Sequence, residues 1–217
     1  MTRELTIHSR DGLALEAALD EPAAPKAVLV FCHPHPQMGG TMNAPLLLAL
    51  RDELLRRRWA VLRFNFRGIG ASEGVSGTGV DEVADAGGAT DYVAERFAGL
   101  PRAIAGWSFG AAVAVRLAAA DRSFVACAAV APAVEAKPGV TAGLPPATDL
   151  QLRVPLLVVV GENDRQVSPD ACSTWGGDAG AEVVRVPGAN HFFWAKYEQL
   201  SKIVGDWLDT RLDGGAQ

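Results

Sequence analysis

The chain predicts an α/β architecture: a doubly wound, mostly parallel sheet with helices on both faces. Three observations point there. All-apolar runs of strand length recur, as at residues 27–32 and 155–160, and such runs mark strands buried on both faces. Segments of helical period stand between them. The 217 residues are 49% hydrophobic and 21% charged, an ordinary balance for one globular domain over 1–217.

Each element follows in order. Leu5-Thr6-Ile7-His8 and Leu13-Ala14-Leu15-Glu16-Ala17 flank the turn dipeptide Asp11-Gly12 and predict a hairpin adding antiparallel strands at one sheet edge. Residues 27–32 form the first parallel strand. Over 43–58, Leu46, Leu47, Leu50 and Leu54 fall on one helical face. A strand at 59–66, a loop rich in glycine (Gly68, Gly70, Gly74, Gly77, Gly79) and a helix over 81–97 come next. Arg102-Ala103-Ile104-Ala105 reads as a short buried strand, with the helix former-rich segment 111–120 shortly after it. Strands at 124–130, 155–160 and 182–186 complete the sheet. A helix over 197–212 closes the chain, with Leu200, Ile203, Val204, Trp207 and Leu208 on its apolar side. Asp213-Gly214-Gly215-Ala216-Gln217 is expected to be a disordered tail.

Composition excludes several classes. A net charge of −5 argues against nucleic acid or an anionic membrane as partner. Cys32, Cys127 and Cys172 are too few for a disulfide framework and lack metal-ligand spacing; Cys32 and Cys127 lie in strand-like runs and read as buried thiols. The N-terminus has no apolar signal core, and no apolar stretch reaches membrane-span length. The expectation is a soluble, cytoplasmic protein that needs no metal or organic cofactor and acts on a small molecule. Nothing in the sequence specifies an oligomeric state.

The chemistry centres on Gly106-Trp107-Ser108-Phe109-Gly110, which lies between the 102–105 strand and the 111–120 helix. A G-x-S-x-G pentapeptide in that context is the nucleophile-elbow signature, a turn so tight that flanking side chains would clash and the serine hydroxyl stands exposed at the carboxyl end of the sheet. A serine needs a base, and the base needs an orienter. Of the four histidines, only His191, in Pro187-Gly188-Ala189-Asn190-His191-Phe192-Phe193, lies between the last strand and the last helix. Asp164, in Gly161-Glu162-Asn163-Asp164 just past a strand end, is the expected acid. Its rivals are Glu162, Asp149 and Asp170; the last lies near a helix start, where capping is its expected work.

The order Ser108, Asp164, His191 is that of α/β-hydrolases. The chain resembles that superfamily over nearly its whole length. In particular it resembles small, lidless bacterial serine hydrolases, through His33-Pro34-His35-Pro36-Gln37-Met38-Gly39-Gly40, Phe64-Asn65-Phe66-Arg67-Gly68-Ile69-Gly70 and His191-Phe192-Phe193. The resemblance implies an oxyanion hole made by the backbone N–H groups of Phe109 and His35, since Pro34 has no N–H. His33 is expected to pin its loop and Arg67 to fix loops by ion pairing. Met38 and Phe192 are the expected substrate-binding residues; Phe109, Phe193 and Trp194 either join them or simply pack.

Larger members of the fold insert a helical lid after the sixth strand. The corresponding segment, 131–153, carries Pro132, Pro138, Pro145 and Pro146, which forbid a long helix. The expectation is therefore no sizeable lid and an open, shallow site. The implied activity is that of a serine esterase cleaving short-chain carboxylic esters through an acyl-enzyme, with acyl-CoA or other thioester hydrolysis as the alternative. Serine at the elbow disfavours dehalogenase and epoxide-hydrolase chemistry, which would need aspartate there.

Overall fold

Along the central strands of the sheet the side chains alternate between two cores. In β3 (Ala27–Cys32), Val28, Val30 and Cys32 enter one core, and Ala27, Leu29 and Phe31 the other. The same period of two runs through β4 (Trp59–Phe64) and β7 (Leu156–Gly161), which is why these sequences are apolar but for Arg63, whose buried guanidinium pairs with Asp20 at 2.9 Å. The computed structural model describes residues 2–213. The segment 214–217, part of the expected disordered tail, lies outside the described residues, whereas Asp213 ends the last helix.

The remaining strands are β1 (Thr2–His8), β2 (Ala14–Asp20), β5 (Arg102–Trp107), β6 (Phe124–Val130) and β8 (Glu182–Val186). They form one eight-stranded sheet in the order β1-β2-β4-β3-β5-β6-β7-β8. The leading hairpin sits at one edge, antiparallel within itself and to β4, and every other pairing is parallel. Helices α1 (Pro45–Arg56) and α5 (Tyr197–Asp213) cover one face; α2 (Glu82–Arg96), α3 (Phe109–Ala120) and α4 (Pro169–Asp178) cover the other. The leucines of α1 and the apolar side of α5 point where their spacing requires. All three cysteines are buried and free, and burial pushes the thiols of Cys127 and Cys172 up to about 12. Among the described residues no helix is long and apolar enough to cross a membrane.

Three local expectations need correction. The strand expected over 59–66 stops at Phe64, because Asn65 turns its side chain to other work: it accepts the Met42 N–H at 2.8 Å and donates to Glu16 at 2.8 Å. Helix α4 is expected from the sequence only as a helix start near Asp170, since Gly176 and Gly177 dilute the pattern beyond it. Its cap is Ser168, which accepts the Ala171 N–H at 3.1 Å; Asp170 instead pairs with Arg185 at 2.6 Å. Arg67 does fix loops, through Asp85 at 2.6 Å and Asp11 at 3.0 Å.

The β6–β7 crossover forms no helical lid. Its only regular features are a bridge between Lys137 and Thr141 and one helical turn at Ala147–Asp149. It nevertheless rises beside the carboxyl ends of the parallel strands, where it takes part in the site.

Candidate active site

Strand β5 delivers Ser108 into a turn whose backbone has φ 57° and ψ −115°, a region that a residue with a Cβ occupies only at a cost. The surroundings hold it there: the Ser108 N–H donates to Val130 O at 2.8 Å, and Ser108 O accepts from Ala111 and Ala112. The two flanking glycines permit this packing. A Cβ on Gly106 would lie 2.2 Å from Gly110 O, and one on Gly110 would lie 2.3 Å from His33 O. The pentapeptide thus lets α3 press against both its own strand and the end of β3.

His191 follows β8, and its carbonyl receives the Trp107 indole N–H at 3.2 Å, which ties its loop to β5. Its Nδ1 lies 2.7 Å from Asp164 Oδ2 and its Nε2 lies 3.1 Å from Ser108 Oγ. A carboxylate beside Nδ1 fixes the proton there, leaving Nε2 bare to accept from the serine hydroxyl. The other Asp164 oxygen accepts the N–H groups of Gln166 at 2.8 Å and Val167 at 3.0 Å. Both His191 and Asp164 are buried. The structure thus brings Ser108, His191 and Asp164 into one hydrogen-bonded row. The rival acids stand elsewhere: Glu162 accepts the Gly188 N–H, Asp170 pairs with Arg185, and Asp149 lies in the crossover's helical turn.

The two candidate oxyanion donors also flank this row. Phe109 is the first residue of α3, where an N–H has no intrahelical partner and the helix dipole favours negative charge. His35 lies on the loop after β3, and among the described residues neither its N–H nor that of Phe109 has a hydrogen-bond partner. The His35 imidazole has a separate task. Its Nδ1 accepts the Gln37 N–H at 3.2 Å, so Nε2 carries the proton and donates to Val140 O at 2.9 Å, in the crossover. His33 pins the same loop from below: Nδ1 donates to Pro34 O at 2.7 Å, and Nε2 accepts the Phe66 N–H at 3.0 Å. Burial holds His33 neutral, with its pKa lowered to about 4.

These groups open on a pocket of about 390 Å³. Met38 and Phe192 line it, as does Phe109. Phe193 does not; its ring is fully buried in the core that α1 and α5 cover. The expected open, shallow site is corrected: Ala133, Glu135, Lys137, Val140 and Thr141 of the crossover wall the pocket, and Lys137 Nζ donates to Gln166 O at 2.7 Å to hold that wall in place. Sequence reasoning missed these residues because the segment has no period. The turn signal Lys137-Pro138-Gly139 was the one available clue. Among the described residues no cluster of three or more His, Cys, Asp or Glu side chains could hold a metal ion.

Comparison with known proteins agrees with this geometry. Residues 23–151 match the Hydrolase_4 family, described as serine aminopeptidase, S33. An uncharacterized protein of Rickettsia prowazekii, RP471, is 32% identical over 206 residues, spanning 89% of this chain and 82% of that protein. An α/β serine hydrolase homologue from Coxiella burnetii superposes with a TM-score of 0.84 at 28% identity, covering 95% of this chain and 97% of its own. An α/β serine hydrolase without lid from Xanthomonas campestris superposes with a TM-score of 0.85 at 27% identity, covering 96% and 94%.

Proposed function

The chain belongs to the Hydrolase_4 family of α/β serine hydrolases, and from that premise we propose that it cleaves short-chain carboxylic esters through an acyl-enzyme on Ser108. The observation that carries the reading is the row Asp164, His191, Ser108, with contacts of 2.7 Å and 3.1 Å. Ser108 Oγ attacks the ester carbonyl carbon while His191 Nε2 takes its proton. The oxyanion that forms meets the N–H groups of Phe109 and His35; one such donor contributes about 3 kcal/mol to the transition state. As the tetrahedral intermediate collapses, Nε2 returns the proton to the departing alkoxide. Water then attacks the acyl-enzyme by the same route, and Ser108 regains its proton from His191.

The acyl group lies against the oxyanion donors. Because the His35 imidazole is bonded to Val140, the crossover wall stands close to that end of the pocket. A bounded pocket encloses few methylenes, which supports short acyl groups. Absence of a helical lid supports direct access without interfacial activation.

One other reading has a specific observation behind it. The family description names an aminopeptidase, and Glu135 in the pocket wall is a carboxylate that could receive a peptide's α-ammonium. Lys137 lines the same wall and offsets that charge. The test is a panel of p-nitrophenyl esters of graded acyl length, acyl-CoA thioesters and aminoacyl p-nitroanilides. The ester reading expects kcat/KM highest on short esters; a maximum on the anilides or on acyl-CoA overturns it.

A further inference from the structure

His191 Nε2 must hand its proton to the leaving-group oxygen, so whatever departs has to lie beside the His191 ring. The next residue in the chain is Phe192, which lines the pocket. Its ring stands edge-on to the His191 imidazole, with centroids 5.5 Å apart, and edge-on to Trp107 at 6.0 Å. Trp194 then stacks nearly parallel on Phe192, with centroids 5.0 Å apart and planes 16° apart. Phe192 is 38% exposed and Trp194 65%. Two large aromatic rings therefore run outward from the base as one continuous apolar surface.

Packing does not require this arrangement. Three consecutive aromatics point out, in and out, and only the middle one, Phe193, joins the core. The backbone reaches that alternation through φ 52° at Phe193 and φ 60° at Ala195, a left-handed conformation that side chains with a Cβ adopt at a cost. Strain is thus held in the segment directly after the base, and its result is to place Phe192 and Trp194 side by side in water. Aromatic rings at such a surface gain most from another aromatic ring, stacked offset or edge-on.

We propose that Phe192 and Trp194 form a leaving-group subsite whose ligand is the aromatic ring of an arylmethyl or related aromatic alcohol, esterified to a short acyl group. This rests on the hydrolase reading above and adds the class of alcohol. The rings contact the substrate's alcohol part, whereas the acyl part lies toward His35, Phe109 and the crossover.

The test holds the acyl group constant and varies the alcohol: benzyl acetate, cyclohexylmethyl acetate and ethyl acetate, with wild type, Trp194→Ala and Trp194→Phe. Wild type should favour benzyl over cyclohexylmethyl by about tenfold in kcat/KM, carried mainly by KM. Trp194→Ala should bring that ratio near one, and Trp194→Phe should restore most of it. Trp194 is exposed, so its loss leaves the core intact. An equal ratio in wild type and Trp194→Ala, or no preference in wild type, overturns the subsite while ester hydrolysis stands. A second readout does not depend on esters: the rate at which O-ethyl methylphosphonates with a p-nitrophenoxy or a fluoride leaving group modify Ser108. If no ester is turned over but Trp194→Ala selectively slows the p-nitrophenoxy reagent, the ester reading falls and the subsite stands.

Discussion

Lys137 donates its ammonium to the carbonyl oxygen of Gln166 at 2.7 Å, and the N–H of that same Gln166 donates to Asp164. The crossover hairpin is therefore pinned at one point to the loop that carries the proposed acid. Through Val140 and the His35 imidazole it is pinned at another to the loop that carries a proposed oxyanion donor. One short hairpin spans both halves of the site.

Releasing the first pin should change which acyl groups fit. Lys137→Met keeps the apolar stem and removes the hydrogen bond. Its kcat/KM for p-nitrophenyl butyrate and hexanoate, relative to acetate, should exceed that of wild type. Each further methylene enclosed is worth about 0.8 kcal/mol, or roughly fourfold. Identical chain-length profiles for the two proteins would show that the hairpin does not limit the acyl group.

Ser108→Ala should reduce kcat by on the order of 10⁶, and His191→Ala nearly as much, with the double variant little worse than either because the two act as one unit. Asp164→Asn should cost at least about a hundredfold by disturbing the imidazole's tautomer. Burst and steady-state kinetics on p-nitrophenyl acetate would check all four. If Asp170→Asn were damaging and Asp164→Asn silent, the acid would be misassigned.

Much of this was legible in the sequence, and the reasons are physical. Apolar runs such as 27–32 identify strands because burial on both faces leaves no position for a polar residue. Gly106 and Gly110 identify the elbow because a Cβ at either position would lie 2.2 Å or 2.3 Å from a backbone oxygen, too close for any other residue. Asp164 and His191 were found by their places after strands. The pocket wall was not found, since Lys137 and Val140 are each tied to a distant loop by a single hydrogen bond and Thr141 only to Lys137 and Gly143 beside it, which leaves no periodic trace. The extent of helix α4 beyond its start near Asp170 escaped for a related reason: packing of Cys172 and Trp175 decides it against weak local propensity.

Stability should depend on pH through His33. Its pKa is about 6.5 in the unfolded chain and about 4 when buried, so the unfolded state binds more protons between those values. The neutral ring contributes fully above about pH 6.5, and its contribution is lost progressively as pH falls toward about 4. The change amounts to about 3 kcal/mol. Urea midpoints measured across that window should fall with acidity, and His33→Gln should flatten the slope. An unchanged slope would place the acid sensitivity elsewhere.

Gly110→Ala should destabilise the fold by about 3 kcal/mol or more, because its Cβ would meet the backbone of β3, which cannot give way as a flexible side chain would. A urea midpoint equal to that of wild type would mean that α3 and β3 can separate at no cost.

The strand order has a consequence for how the enzyme fails on heating. Ser108 and Asp164 follow interior strands, whereas His191 follows β8, which pairs only with β7 and buries little of its surface before Val186. Edge elements with few buried contacts open locally at a lower free energy than the whole fold. Detachment of β8 would withdraw His191, the proposed base, while Ser108 stays seated on β5. Warming should then produce a folded but inert population below the global transition, visible as lost turnover with helical circular dichroism retained, and turnover should return on cooling. The order of synthesis has the same effect: β8 follows the other seven strands of the sheet in the chain, so Ser108 has no partner in His191 until they have been made.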